Sequence, residues 1–227
     1  MDLLNQSLAS LATRYAGVTQ VFHHYRLDFC CGGDQSLQQA LTKRGLDAAE
    51  VMARLQPLVA QPQTQQNWQE QPPMALIHHL LDRFHAQHRL QLPELIRLAR
   101  RVEQVHGDHP QCPTGLAAHL TTMLQELENH MQKEEQILFP LLAQGIYPAG
   151  PLQVMAAEHQ DHGQALSRMM ALAHDLVLPE GACNTWMALY LGVKALREAL
   201  MEHIHLENNI LFQQPAANTH YCCGSCS

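Results

Sequence analysis

The sequence has few aromatic residues and lacks long apolar runs, and both shortages restrict the fold. Aromatic side chains make up 5% of the 227 residues, while apolar residues reach 46%. Most of that apolar content is Leu, Ala and Met, which favour helices over strands. No uninterrupted apolar run approaches the roughly 20 residues needed to span a bilayer. We therefore expect an all-α protein without a membrane segment.

Basic clusters and export signals are also missing. The formal net charge is −7 and no block of Lys or Arg is present, so we expect no nucleic-acid binding. The N-terminal stretch MDLLNQSLASLATRY lacks the cationic and apolar regions of a signal peptide. Seven Cys is an odd number, and without export a disulfide framework is not expected. We therefore expect a cytoplasmic protein whose Cys are free thiols or metal ligands.

The chain divides into a small module and a long helical region. Residues 1–60 predict short helices interrupted by the turn DFCCGG, and residues 61–73 predict a Gln- and Pro-rich linker. Four helical patterns with short connections then predict an up-down four-helix bundle within residues 74–213. Their ranges are about 74–107, 114–144, 151–177 and 181–213. Pro93 should kink the first helix or remove one of its hydrogen bonds, and residues 214–227 predict a Cys-containing tail.

A ten-residue phrase occurs twice in the bundle region. HMQKEEQILF begins at His130 and HIHLENNILF begins at His203. Both phrases keep Glu at the fifth position and Ile-Leu-Phe at the end. Because residues four apart share one helix face, each His should point in the same direction as its Glu, which is Glu134 or Glu207. For either phrase alone, an ordinary ion pair on a solvated helix is the competing interpretation.

Two further histidines repeat with nearly the same spacing. His85 in FHAQH precedes the first phrase, and His159 in EHQDH precedes the second phrase by almost the same interval. The bundle is therefore predicted to consist of two copies of one helix hairpin. Six side chains would then converge as a ligand set: His85, His130, Glu134, His159, His203 and Glu207. Two ions about 3.5–4 Å apart can share such carboxylates, and the donors suit iron, with manganese second, rather than structural zinc.

Several residues near this set have weaker predictions. Glu126 lies one helical turn before His130, where it could orient that imidazole or carry protons. His88 and His162 lie one turn beyond the ligand positions, so they should either surround the ligands or face the surface, and metal ligation is the less favoured alternative. Glu158 is adjacent to a ligand His in sequence and should therefore point away from it, into solvent.

The order H…HxxxE…H…HxxxE, together with DFCCGG, resembles the repair-of-iron-centres (ScdA-type) family of hemerythrin-like proteins. The resemblance extends to about residue 213. It implies that the six residues bind a non-haem di-iron centre with bridging carboxylates. It also implies a cytoplasmic stress protein, often dimeric, whose partners are iron–sulfur proteins damaged by nitric oxide or oxidants. Iron donation is the expected activity; the alternatives are a nitric oxide reductase and an oxygen or metal sensor, with nitric oxide or oxygen as the small-molecule ligand.

Five of the seven cysteines form two groups. Cys30 and Cys31 match the N-terminal pair of this family, and adjacent cysteines suit thiol exchange or transient metal binding better than a strained disulfide. A redox or iron-transfer role is therefore predicted, and a buried pair of small apolar residues is the competing interpretation. The tail departs from the family pattern with three cysteines: Cys222, Cys223 and Cys226. The CxxC spacing of Cys223 and Cys226 fits redox chemistry or metal capture, and an unstructured end is the competing interpretation.

Overall fold

A computed structural model of the chain describes residues 2–60 and 68–213, and this part is helical without a named β-strand. The all-α prediction is confirmed. No helix among the described residues is both long enough and apolar enough to cross a membrane. Residues 61–67 of the predicted linker and the predicted tail, 214–227, lie outside the described residues.

The N-terminal module consists of four short helices. They are α1 (Leu8–Arg14), α2 (Val18–His24), α3 (Leu37–Arg44) and α4 (Ala48–Ala60). The Ser7 hydroxyl caps α1, and Ser36 caps α3 in a reciprocal capping box with Gln39. The DFCCGG turn lies between α2 and α3. Its Gly33 cannot be replaced, because a Cβ there would lie 2.5 Å from the Phe29 carbonyl oxygen.

Four bundle helices follow, which we name A to D. Helix A comprises α5 (Pro73–Leu80), a π-helical turn (Leu81–His85) and α6 (Ala86–His106). Helix B comprises α7 (Leu116–Lys133), a π-helical turn (Glu134–Leu138) and α8 (Phe139–Ala143). Helix C is α9 (Ala149–Leu172), and helix D comprises α10 (Asn184–Leu206) and a π-helical turn (Glu207–Leu211). Helix A packs on B and D, and helix C packs on B and D.

The π-helical turns of the bundle lie at predicted ligands rather than at Pro93. Helix A is α-helical on both sides of Pro93. The three π-helical turns instead end at His85 or begin at Glu134 and Glu207. Each π turn adds a residue to the helical repeat, which changes the direction of the side chains around it, and such turns are frequent at functional sites. Helix C, which carries His159, is α-helical throughout its range.

The predicted ligands lie between two apolar cores. One core joins the module, including Phe22 and Phe29, to the far part of the bundle. The other contains Phe84 and Phe139 and occupies the opposite end. The module is docked on helix D, because the Phe29 ring packs edge-on against the His205 ring with centroids 5.4 Å apart. The DFCCGG turn is thereby held beside the predicted ligand set.

Candidate metal centre

The structure brings the six predicted ligands together in one buried cluster. They are His85, His130, Glu134, His159, His203 and Glu207, and none is more than 1% exposed. Their ligand atoms form two groups, each with all members within 4.8 Å of one another. One group contains His85 and His203, the other contains His130 and His159, and both contain the same two carboxylates. Two groups with metal-ligand spacing therefore share Glu134 and Glu207.

The Glu207 carboxylate spans the two imidazole pairs. Its Oε1 lies 3.0 Å from His203 Nε2, and its Oε2 lies 3.1 Å from His159 Nε2. Within each pair the rings also face one another, since the Nε2 atoms of His85 and His203 are 3.1 Å apart. One carboxylate can therefore donate one oxygen to each position.

Glu134 spans the pairs in the same way and has no hydrogen bond. Its Oε2 lies 3.5 Å from His85 Nε2 and its Oε1 lies 3.4 Å from His130 Nε2, yet both oxygens are buried without a hydrogen-bond partner. Among the described residues, no Lys or Arg is within 4 Å of Glu134 or Glu207. An uncompensated buried carboxylate is costly. The cluster therefore requires positive charge from another source.

Hydrogen bonds at the Nδ1 atoms fix the tautomers of three of the four imidazoles. His85 Nδ1 lies 2.8 Å from Glu135, His130 Nδ1 lies 2.8 Å from Glu158 and His159 Nδ1 lies 2.7 Å from Asn208 Oδ1. These oxygens only accept, so each Nδ1 donates and a neutral ring presents the Nε2 lone pair to the interior. Lone pairs that face each other across about 3 Å repel unless a cation or proton lies between them. One cation between the two Nε2 atoms of each pair satisfies this geometry.

Protons take the place of that cation when no metal is bound. Burial lowers the pKa of His130, but Glu134 and the neighbouring carboxylates outweigh it and raise the pKa to about 9. Burial raises the pKa of Glu207, yet attraction to His203 and hydrogen bonds from the imidazoles bring it well below its ordinary value. The carboxylates thus keep positive charge in the cluster. Metal binding should accordingly release protons.

His203 is the exception among the four imidazoles. Its Nδ1 is buried without a partner, and the Phe84 ring stacks on it at 5.4 Å with an interplanar angle of 7°. Phe84 precedes a predicted ligand His in the first hairpin, as Glu158 does in the second, and Glu135 follows a predicted ligand Glu, as Asn208 does. The duplicated hairpins therefore carry different residues at equivalent supporting positions.

Glu158, not Glu126, holds His130. Glu126 is exposed and lines a cavity of about 660 Å³ between helices B and C, which Glu158 and His162 also line. No hydrogen bond joins Glu126 to His130 among the described residues, whereas Glu158 bonds its Nδ1. The expectation that Glu158 is solvated was wrong, because this bond crosses from helix C to helix B. Helical spacing within one element carries no signal for such a contact.

His88 and His162 are buried against the rings of predicted ligands, which excludes the surface alternative. His88 is 0% exposed, and neither of its ring nitrogens has a partner. Its ring centroid lies 5.3 Å from that of His203, and that of His162 lies 4.9 Å from that of His130. Burial lowers the pKa of both residues, in His162 to about 3. Both are therefore neutral imidazoles next to the cluster.

The cysteine pair contacts the backbone of helix C. Cys30 and Cys31 are free thiols with Sγ atoms 3.6 Å apart. Asp28 Oδ1 accepts from both of their backbone N–H groups, and the Cys31 thiol donates to the His159 carbonyl at 3.1 Å. The hydrogen bond with Cys31, followed by burial, raises the pKa of Cys30 well above its ordinary value. Asp28 and the two thiols also form a third group with metal-ligand spacing.

Both the N-terminal module and the helical bundle match known protein families. Residues 76–214 match the hemerythrin HHE cation-binding domain, and residues 4–59 match a domain of unknown function, DUF542 (ScdA_N). A protein of Yersinia pseudotuberculosis named iron-sulfur cluster repair protein YtfE is 50% identical over 214 residues, covering 93% of this chain and 97% of that protein. A Yersinia pestis protein of the same name is 49% identical with the same coverage.

These matches confirm the resemblance that the two motifs indicate. The buried His and Glu groups lie within the residues that match the cation-binding domain. The DFCCGG turn lies within the N-terminal match. The chain belongs to the hemerythrin HHE cation-binding family, among the members that carry an N-terminal ScdA-type domain and include the iron–sulfur cluster repair proteins.

Proposed function

We propose that this chain binds two iron ions and supplies iron to iron–sulfur proteins damaged by nitric oxide or oxidants. The observation that carries the proposal is that two buried carboxylates, Glu134 and Glu207, are each shared by two imidazole pairs. Mixed imidazole and carboxylate donors suit iron, with manganese second. The names of the Yersinia relatives support the class of client.

Each residue has a defined part in this proposal. His85 and His203 would hold one ion, His130 and His159 the other, and the two carboxylates would bridge them. Iron bound there is the cargo of repair, and it also supplies a redox-active centre. Because imidazoles such as His130 take up protons when metal leaves, release should be coupled to protonation of the cluster. Carboxylates hold iron less firmly than the thiolates of a client cluster, which favours transfer toward the client.

The cysteine pair would assist this transfer. The Cys31 thiol lies against the backbone of His159, and Asp28 supplies a carboxylate next to both thiols. We propose that the pair receives iron on its way out of the centre or exchanges electrons with it. A Cys30→Ser, Cys31→Ser protein should bind two iron ions but repair clusters more slowly. Repair at the normal rate would exclude this role.

The test begins with metal content and Mössbauer spectra of protein purified without oxygen. Two iron ions per chain, antiferromagnetically coupled after oxidation, are expected. The loaded protein should then restore the cluster absorbance of a damaged ferredoxin, and a His130→Ala protein with an unchanged helical circular dichroism spectrum should not. One tightly bound zinc ion per chain would contradict the proposal.

Nitric oxide reduction is a second candidate, which the cavity between helices B and C favours. Glu126 and Glu158 line this cavity, and Glu158 accepts a hydrogen bond from Nδ1 of the predicted ligand His130. Reduction of two nitric oxide molecules to nitrous oxide and water consumes two electrons and two protons, and these carboxylates are suitable proton carriers. Steady nitrous oxide production with an added reductant, slowed in Glu126→Gln, is expected for this activity. A burst of no more than one nitrous oxide per centre would exclude turnover.

A further inference from the structure

We infer that Asn208 couples the Cys30–Cys31 turn to the metal position of His130 and His159, so that the ion at this position is the one that exchanges. The inference rests on the proposed two-ion centre and concerns how its two positions differ. It assigns a positioning role to Asn208, which follows Glu207 in sequence but is not one of the six predicted ligands.

The Asn208 side chain has two partners in different parts of the molecule. Its Oδ1 accepts from His159 Nδ1 at 2.7 Å, and its Nδ2 donates to the Cys30 carbonyl at 3.2 Å. The neighbouring Asn209 Nδ2 donates to the Phe29 carbonyl at 3.4 Å. One amide therefore fixes both a predicted ligand imidazole and the turn of the N-terminal module.

The same turn also contacts the helix that carries His159. The Cys31 thiol donates to the His159 carbonyl, and Cys31 Sγ would lie only 3.3 Å from a Cβ placed on Gly163. Gly163 lies one helical turn after His159, so the close approach depends on its missing side chain. Any movement of the turn is transmitted to His159 through its carbonyl and through the Asn208 amide.

Within the part of the chain that the structure describes, no hydrogen bond joins the supports of the other metal position to the N-terminal module. His85 Nδ1 bonds the carboxylate of Glu135, which Arg89 holds at 2.8 Å. Arg89 also bonds Glu128 at 2.8 and 3.1 Å. All of these residues belong to helices A and B. In addition, a carboxylate accepts more strongly than an amide, so Glu135 should make His85 a stronger ligand than Asn208 makes His159.

Displacement of the turn should therefore weaken one position only. If the Cys30 carbonyl moves away, Asn208 loses one of its two anchors and His159 loses a fixed acceptor. Loss of such a partner typically costs about 10–100-fold in metal affinity. The position of His85 and His203 retains its own network. Iron should leave first from the position beneath the cysteine turn.

The test measures iron release from full-length protein loaded with two iron ions, using excess ferrozine without oxygen. Wild type should release one ion in a fast phase and one in a slow phase. Asn208→Ala should accelerate the fast phase about 10–100-fold and leave the slow phase unchanged. The matched control is Glu135→Gln, at the equivalent position of the other hairpin, which should accelerate only the slow phase.

Two more variants separate coupling from general loosening of the fold. Gly163→Ala should push the turn away and accelerate the fast phase, while the thermal midpoint stays constant or rises because Ala favours helix over Gly. Asn208→Asp keeps an acceptor for His159 but removes the donor to Cys30, and should release the fast ion more slowly than Asn208→Ala.

Several results would overturn the coupling. These are release of both wild-type ions in one phase, equal acceleration of both phases in Asn208→Ala, or wild-type rates in Gly163→Ala. In each of these cases a wild-type protein that still binds two iron ions keeps the proposed centre intact. Failure of wild type to bind two iron ions would instead overturn the proposed centre, and the coupling with it.

Discussion

The two halves of the cluster contain equivalent predicted ligands, but different residues hydrogen-bond to or pack against those ligands. Each half contains two imidazoles, one from each hairpin, and both halves share the same two carboxylates. In one half the supporting residues are Glu135 and Phe84, a carboxylate and an apolar ring. In the other half they are Asn208 and Glu158, an amide and a carboxylate. The duplicated hairpins therefore keep the predicted ligands while the supporting residues differ, and we expect this difference to give the two halves different chemistry.

Removing a shared residue should affect both halves, whereas removing a residue of one half should not. We expect Glu207→Ala to lose both ions, because each position loses an oxygen donor. His203→Ala should retain the ion at His130 and His159. Metal analysis of anaerobically loaded protein, together with circular dichroism to verify the helices, provides the test. Two ions retained in Glu207→Ala would show that this carboxylate does not bridge.

Phe84 and Glu158 occupy equivalent positions but should act on different properties. Phe84 is buried, so Phe84→Ala should lower the free energy of unfolding by about 3–5 kcal/mol. Glu158 is partly exposed at the edge of a cavity, so Glu158→Ala should weaken metal binding more than stability. Urea unfolding of the metal-free proteins measures the first effect. Equal losses of stability in both variants would contradict this division of roles.

The module that supports only one half should also loosen at low pH. His23 packs on Phe29, and burial, then Arg197 and Lys194 of helix D, lower its pKa from 6.5 to about 4. Because the folded pKa is below the unfolded one, the unfolded chain binds the proton first as the pH falls. Protonation of His23 therefore lowers the free energy of unfolding by up to about 3 kcal/mol as the pH falls from 6.5 to 4.

The measurement is urea unfolding across this pH range in wild type and in His23→Gln. The variant cannot take up the proton, so its free energy of unfolding should fall less steeply with decreasing pH. The other histidines are present in both proteins, and their contributions cancel in the difference. Parallel pH dependences would mean that His23 is already exposed in the folded protein.

Helical periodicity and the repeat intervals were sufficient to predict the fold and the grouping of six side chains. Residues four apart on one helix face predicted the His130 and Glu134 pair, and the repeat predicted the second pair. The first signal is a spacing within one helix and the second is a repeat in the sequence, so neither requires knowledge of how the helices are rotated against each other. The structure brings these residues together in the buried cluster.

The supporting contacts could not be predicted, because they cross between elements. The bond from His130 to Glu158 joins helices B and C, and the bond from Asn208 to Cys30 joins helix D to the module. The π-helical turns also change side-chain directions near the ligands, whereas the sequence pattern assumes a regular repeat. The only usable signal was symmetry: Asn208 occupies the position that Glu135 holds in the first hairpin.

A milder change at Glu158 tests whether the negative charge of this carboxylate strengthens metal binding by His130, in the half where the amide of Asn208 bonds His159. In Glu158→Gln the side chain still accepts from His130 Nδ1, but it carries no charge and makes the imidazole a weaker ligand. We expect about 10-fold weaker binding of one ion in a chelator competition titration and no change for the other. Glu202→Gln is the matched control, since Glu202 also precedes a ligand His but is exposed. If both ions weakened equally in Glu158→Gln, the carboxylate would act on the whole cluster through its charge, and the two halves would not be independently supported.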